Sequence, residues 1–297
     1  MKAPAFDYAR PRSIEEACAL LDRHGDDARL LAGGQTLMAT LNMRLSEPGL
    51  LVDLRDVGGL RGISLQRGHV RIGALTRHSE IEDSALIARH APLLAQAAPH
   101  VAHRAIRNRG TIGGAIAYAD PAAEWPACCL AMDASLVLRS SAGTRRLAAS
   151  AFFLDLYTTA LRPGEILTAI EVPLVPQDGR VAFAELVRRH GDYAIVGLAS
   201  RAQWTGGALR NLRLAFLGVG TVPWLASGAA QALEGATPAT LADALPRAQA
   251  CLKEALQPIG DVYHSVDAKR HLAGVLLGRI VHTLAAAPDQ EPAHERH

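Results

Sequence analysis

Aromatic side chains are scarce in this chain. Phe, Trp and Tyr make up 4% of its 297 residues, so Ala, Leu and Gly must fill much of the interior. Cysteine is also scarce. Cys18, Cys128, Cys129 and Cys251 form no C-x-x-C pair, which excludes zinc sites and iron–sulfur clusters of the usual spacing. They read as small buried apolar residues. The 12 histidines give no convincing H-x-x-x-H metal pair, so no metal site is expected. No apolar run reaches the roughly 18 residues of a membrane span. Met1–Asp7 lacks the apolar core of a secretory signal, so a cytoplasmic place is expected, at most peripheral at the inner face of the membrane. Neither charge sign dominates: 31 basic residues stand against 29 acidic, a net +2. With no basic stripe interleaved with aromatics, nucleic acid is not an expected partner.

Hydrophobic residues make up 49% and charged residues 20%, the balance of a folded protein long enough for two or three domains. Ser13-Ile14-Glu15-Glu16 is a capping box that opens a helix ended by Gly25. Arg29–Ala32 then reads as a short strand running into Gly33-Gly34, Leu37–Leu45 as helix, and Leu50–Leu54 as strand. Residues 1–56 form a first small α/β unit. Residues 57–177 form a second. Its strands Leu60–Leu65 and His69–Ala74 flank the turn Arg67-Gly68. Helices fill 79–103, a hairpin joins Ser135–Arg139 to Gly143–Ala148, and Glu165–Pro173 is a strand that stops at proline.

The polar break Val175–Gly179 precedes a third unit, 178–287. There Ala182–Arg188, Ala194–Trp204 and Leu209–Leu217 read as antiparallel strands, with turns at Gly191-Asp192 and Gly206-Gly207. The last helix, Lys269–Leu284, carries Leu272, Val275, Leu276, Ile280 and Leu284 on one face. Residues 288–297 form a polar tail expected to be disordered. No internal repeat is evident.

Two loops carry the chemistry. In Ala32-Gly33-Gly34-Gln35-Thr36 a buried strand delivers two glycines and a hydroxyl residue to a helix start. Glycine permits positive φ and close approach of the backbone, and successive N–H groups can then hold phosphate oxygens. Thr111-Ile112-Gly113-Gly114-Ala115 has the same ingredients, and two such loops suit a pyrophosphate gripped from both sides. Taken singly, each is also an ordinary turn. Neither fits G-x-x-x-x-G-K-[ST], which disfavours a nucleoside triphosphatase. Gly218-Val219-Gly220-Thr221-Val222-Pro223 follows a strand but puts proline at the third glycine position and opens no helix. It reads as a connection and not a nicotinamide site.

Around these loops the sequence resembles a known family, the FAD-binding medium subunit of molybdenum hydroxylases, most nearly the carbon monoxide dehydrogenase type. The matching stretches are Ala32–Thr36, Ile106–Gly114, Ala119–Glu124, Arg188–Ala194 and Arg270–Leu276, and the resemblance runs to about residue 285. It implies an α+β fold. Two α/β subdomains form a vanillyl-alcohol oxidase-like (PCMH-type) FAD-binding domain, followed by an antiparallel sheet with helices on one side.

The resemblance also implies roles. Ala32, Gly33, Gly34, Gln35 and Thr36 would hold the FAD pyrophosphate, with threonine replacing the usual serine. Thr111, Ile112, Gly113, Gly114 and Ala115 would hold it from the other side. The family has serine or asparagine where Ala115 stands, so one side-chain donor is lost while the backbone N–H remains. Glu124 would contact the adenosine ribose, or else be a solvated helix-start charge. Val101 and Leu161 would pack on the cofactor, and both also suit plain core positions. Tyr193 would stack near the isoalloxazine ring, or be a loop tyrosine after a Gly-Asp turn. Arg107 and Arg109 would balance phosphate charge or pair with acids, at least one of them structurally. No catalytic residue and no metal ligand is expected in this chain.

The implied function is electron transfer from the [2Fe–2S] clusters of a small subunit through FAD to an external acceptor. A large molybdopterin subunit would oxidise substrate, and two heterotrimers would assemble as a dimer. The rival readings are a stand-alone flavin oxidase, for which 178–287 offers no catalytic cluster, and a non-catalytic relative that has lost FAD, for which Ala115 is the one hint.

Overall fold

The computed structural model describes residues 2–286; the tail expected to be disordered lies outside the described residues. The Ser13 hydroxyl accepts from the Glu16 N–H at 3.1 Å and caps the helix Ile14–His24. The Glu16 carboxylate reaches one residue further back than a standard capping box, to the Arg12 N–H at 2.8 Å. Ala17, Cys18 and Leu21 face a three-stranded parallel sheet in which Leu50–Asp53 lies between Asp7–Ala9 and Ala28–Leu31.

Next comes a five-stranded antiparallel sheet. In spatial order its strands are Ile63–Gln66, His69–Gly73, Ile166–Pro173, Ser135–Ser140 and Gly143–Ala148. Gly68, at φ +84°, makes the first hairpin turn. The central strand does not alternate in burial as a two-faced strand would. Ile166–Val172 is buried throughout because it is paired on both edges and covered on both faces. Its two polar residues are matched: Thr168 donates to Val137 O at 3.0 Å, and Glu171 pairs with Arg146 at 2.8 Å.

The helix Glu124–Met132 is buried on every side, including Trp125, Cys128 and Cys129. A helix with no polar face belongs between layers. Here it separates the five-stranded sheet from the C-terminal sheet, Gly179–Leu186, Val196–Thr205, Ala208–Leu217 and Trp224–Leu225. The two-residue turn Gly206-Gly207 has φ +62° and +76°, as a tight hairpin of that twist requires. Alternation splits this sheet's faces. Leu198, Leu214 and Phe216 pack under the helices Ser227–Ala232, Leu241–Ala255 and Val266–Ala285, while Ala199, Ala215 and Leu217 join the core around the buried helix.

Arg201 and Arg213 are opposed on neighbouring strands, a repulsive pairing. Both are matched by the C-terminus of the buried helix, Arg201 to Met132 O at 3.2 Å and Arg213 to Leu130 O at 2.8 Å and Asp133 at 3.3 Å. The last helix is centred differently from the periodicity reading. Ala273, Leu277 and Val281 are buried with Leu276, Ile280 and Leu284, whereas Leu272 and Val275 are half-buried at the margins. Gly218 to Pro223 opens no helix, as expected: Gly218 O accepts from Lys269 Nζ at 3.1 Å and the segment runs into Trp224–Leu225.

Candidate functional site

A cleft of about 490 Å³ opens between the first sheet and the second unit. That volume is within the range of small-molecule sites. Both glycine loops line it: Ala32, Gly33, Gly34, Gln35 and Thr36 on one wall, Thr111, Gly113, Gly114 and Ala115 on the other, with Leu161 beyond.

The first loop is held by geometry and not by its own amides. Gly34 sits at φ +72°, and the helix Leu37–Asn42 begins with Met38 N–H donating to Gly34 O at 3.2 Å. The N–H groups of Gly33, Gly34, Gln35, Thr36 and Leu37 have no hydrogen-bond partner among the described residues. Five successive free donors on a cleft wall make a concave positive surface that suits an anion. A phosphate-bearing cofactor such as FAD therefore fits this wall.

The second loop differs. Thr111 caps the helix Ile112–Tyr118, its Oγ1 accepting from the Gly114 N–H at 3.2 Å. Ile112 N–H donates to Thr76 O at 3.0 Å, Gly113 N–H to Ala74 O at 2.9 Å and Ala115 N–H to Thr111 O at 3.1 Å. Its glycines are needed for packing. A Cβ on Gly113 would sit 2.4 Å from Ala74 Cβ. The two loops also touch: a Cβ on Gly33 would lie 2.3 Å from Arg109 O and 2.7 Å from Gly110 Cα.

Four expected site residues are not on the cleft wall. Ile112 and Val101 are buried in the core of the second unit. Glu124 is buried at the start of the interlayer helix, and burial, then the neighbouring Glu185, then Asp120, raise its pKa to about 8. It is therefore not a solvated helix-start charge. Tyr193 is 70% exposed. Desolvation first, then Asp120, Tyr118 and Tyr157, raise its pKa.

Arg107 is structural. It pairs with Glu82 at 2.8 Å and donates to the carbonyls of Pro99, Val101 and Ala102. That clamp holds Ala102 at φ +46° beside Val101. Arg109 is exposed and contributes its carbonyl to the contact with Gly33.

Among the lining residues that sequence reasoning missed are His78, Tyr118 and Tyr157. Tyr118 and Tyr157 pack at 4.9 Å between ring centroids at 50°. Tyr118 was within reach, since it follows Gly114 by four residues on one helix face. His78 and Tyr157 come from distant segments with no local pattern. Among the described residues no His, Cys, Asp or Glu group is arranged to hold a metal, and no helix is long and apolar enough to cross a membrane.

Residues 4–175 match the family described as FAD binding domain in molybdopterin dehydrogenase, and residues 181–284 the CO dehydrogenase flavoprotein C-terminal domain. The chain is 46% identical over 200 residues to the 6-hydroxypseudooxynicotine dehydrogenase complex subunit alpha of Paenarthrobacter nicotinovorans, covering 67% of this chain and 68% of that one. It is 35% identical over 279 residues to the carbon monoxide dehydrogenase medium chain of Hydrogenophaga pseudoflava, covering 94% and 96%. A solved structure of that carbon monoxide dehydrogenase, lacking the Mo-pyranopterin moiety, superposes with a TM-score of 0.92 at 35% identity over 96% of this chain and 98% of that one. Quinoline 2-oxidoreductase from Pseudomonas putida 86 gives 0.89 at 37%, again over 96% and 98%. With two family domains in the same order, a cleft that suits a phosphate-bearing cofactor and near end-to-end likeness to medium chains, this chain belongs to the family of FAD-binding medium subunits of molybdopterin dehydrogenases.

Proposed function

We propose that this chain is the electron-transfer subunit of a heterotrimeric molybdenum hydroxylase on the cytoplasmic side of the cell. It receives electrons from the [2Fe–2S] clusters of a small partner subunit and delivers them to an external acceptor, while a large molybdopterin subunit oxidises substrate. Two heterotrimers pair. The observation that carries this reading is the row of free amides from Gly33 to Leu37 on the cleft wall. Bound FAD supplies the redox chemistry, so the chain needs no acid–base dyad of its own.

The chain's residues bind and orient. The amides of Gly33 to Leu37 and the Thr36 hydroxyl take the pyrophosphate from one side, with Ala32 and Gln35 shaping the wall. The second loop works mainly as a spacer. Gly113 and Gly114 let it approach, and the Thr111 hydroxyl, whose oxygen is already an acceptor for Gly114, retains its proton to donate into the cleft. Leu161 and the Tyr118–Tyr157 pair exclude water from the flavin end, and Tyr193 caps it from the C-terminal domain. Glu124, with its pKa near 8, is mostly protonated at neutral pH. Because it is buried off the lined cleft wall, a ribose contact needs the adenosine to reach past that wall, and there Glu124 would donate as well as accept rather than act as a bare carboxylate.

The test is to co-express the chain with its two partner subunits, purify the complex and record its visible spectrum. One flavin released per chain is expected, together with the iron–sulfur bands of the partner. A folded complex without flavin would contradict the reading.

A further inference from the structure

His78 lies beneath the point where the two glycine loops meet. Its ring stacks on Trp125, with centroids 5.7 Å apart and planes at 29°. Trp125 Nε1–H donates to His78 Nδ1 over 3.0 Å, inside the core. An indole N–H can only donate, so Nδ1 is an acceptor and the neutral ring carries its single proton on Nε2. Burial, then Arg107, push the imidazole pKa down to about 4, so the ring stays neutral over the physiological range.

The edge that carries Nε2 lies at Gly110. A Cβ there would come within 2.8 Å of both Nε2 and Cδ2. Gly110 Cα is in turn what a Cβ on Gly33 would strike at 2.7 Å. His78, Gly110 and Gly33 all line the cleft. The bond from Trp125 is the ring's only hydrogen bond among the described residues. Nε2 is not among the fully buried unpartnered atoms, so its N–H is open to the cleft and free to donate to a ligand there.

Resting on the FAD reading above, we propose that His78 is a further cofactor-binding residue: its Nε2–H donates to a pyrophosphate oxygen of FAD, and Trp125 is the positioning residue that holds the ring in the donating tautomer. The backbone loop supplies several donors spread along the anion. His78 adds one directional donor from below, uncharged and insensitive to pH between 5 and 8.

The test titrates the flavin-depleted complex of the chain and its partner subunits with FAD, ADP and riboflavin, in the wild type, His78→Gln, His78→Phe and the pair His78→Phe/Trp125→Phe. The double variant removes both hydrogen-bonding partners, so it leaves no orphaned indole N–H to unfold the core. Its melting temperature is expected to stay near the wild-type value. Both Phe variants should bind FAD and ADP about tenfold more weakly or worse, the loss expected for one hydrogen bond to a charged group. Riboflavin, which lacks the pyrophosphate, should bind equally to all. His78→Gln, which offers an amide donor, should recover part of the loss. In wild-type protein, nitrogen-15 NMR should show the Nε2–H tautomer with a shift on FAD addition. A folded double variant that binds FAD as the wild type does, an equal loss for riboflavin, or an Nδ1–H tautomer overturns the proposal. A wild-type complex that binds no FAD overturns the flavin reading itself and is read separately, before any variant is compared.

Discussion

The two glycine loops are written in nearly the same letters and are built for different work. In the first, the amides from Gly33 to Leu37, on residues that line the cleft, have no partner among the described residues; in the second, the amides from Ile112 to Ala115 are all spent inside the protein. In the first, Gly34 is required by its φ of +72°; in the second, Gly113 is required because Ala74 leaves no room for a Cβ. The lesson is that a glycine pair beside a cleft does not by itself mark the loop suited to bind an anion. The loop better suited is the one whose N–H groups have nowhere else to go.

Substitutions can break this comparison. The largest effect is expected from Gly113→Val. Its Cβ alone would fall 2.4 Å from Ala74 Cβ and 2.6 Å from Ala74 O, against backbone that cannot rotate away. Overpacking of this kind costs about 1–3 kcal/mol or more. The melting temperature should fall in the flavin-free chain as well as in the loaded one, as thermal unfolding in both states would show.

Gly33→Ala should instead separate binding from stability. Its Cβ meets Arg109 O and Gly110 Cα, so the loops must part at the cleft while the core beneath stays packed. Flavin retention through gel filtration should drop severely, with a smaller change in the melting temperature of the flavin-free chain than Gly113→Val produces. Equal losses of stability in the two variants would erase the distinction between cradle and spacer.

Glu124 gives a prediction in pH. Its pKa in the folded chain is about 8, above the ordinary 4.5, because of burial, then Glu185 and Asp120. Between those two values the folded state holds a proton that the unfolded state has released. Its contribution is therefore fully present below about pH 4.5 and is lost as pH rises toward and through 8. Glu124→Gln mimics the protonated form. It should flatten the decline in stability over that window and raise the melting temperature at pH 8, measured in the flavin-free chain. A decline just as steep in the variant would show that Glu124 is not the group that titrates.

Much of the fold was legible because its signals are local. The Ser13 cap, the Arg67-Gly68 turn and the Gly206-Gly207 turn are each specified within a few residues. The cleft was legible as far as its loops are contiguous. What was not legible comes from pairing at a distance. His78 and Trp125 are 47 positions apart, and nothing near either announces the other. The pKa of Glu124 depends on Glu185, from a strand in another domain. Which loop keeps its amides free depends on Thr76 and Ala74, whose carbonyls lie on a segment far from Gly113 in sequence. Periodicity placed the last helix correctly but rotated its face, since Ala273 packs at its centre and alanine gives little hydrophobic signal.

The smallest effect is also the most direct probe of the second loop. Ala115 lines the cleft, and its N–H is already donated to Thr111 O. The family's usual serine or asparagine would put a polar group here where this chain has a methyl. If the loop is a spacer, its backbone cannot supply a new donor, and a side chain is the one route left at this position. Ala115→Ser should then tighten FAD by less than about tenfold, the worth of one neutral hydrogen bond set against water. Part of even that gain is lost if the hydroxyl turns back to the Thr111 carbonyl one turn earlier. Thr36→Ala, on the loop with free amides, should weaken FAD by a similar factor, because those amides remain when the hydroxyl is gone. Isothermal titration of both variants measures the pair under one set of conditions. A large gain at Ala115 with no loss at Thr36 would reverse the assignment, making the second loop the anion ligand and the first its support.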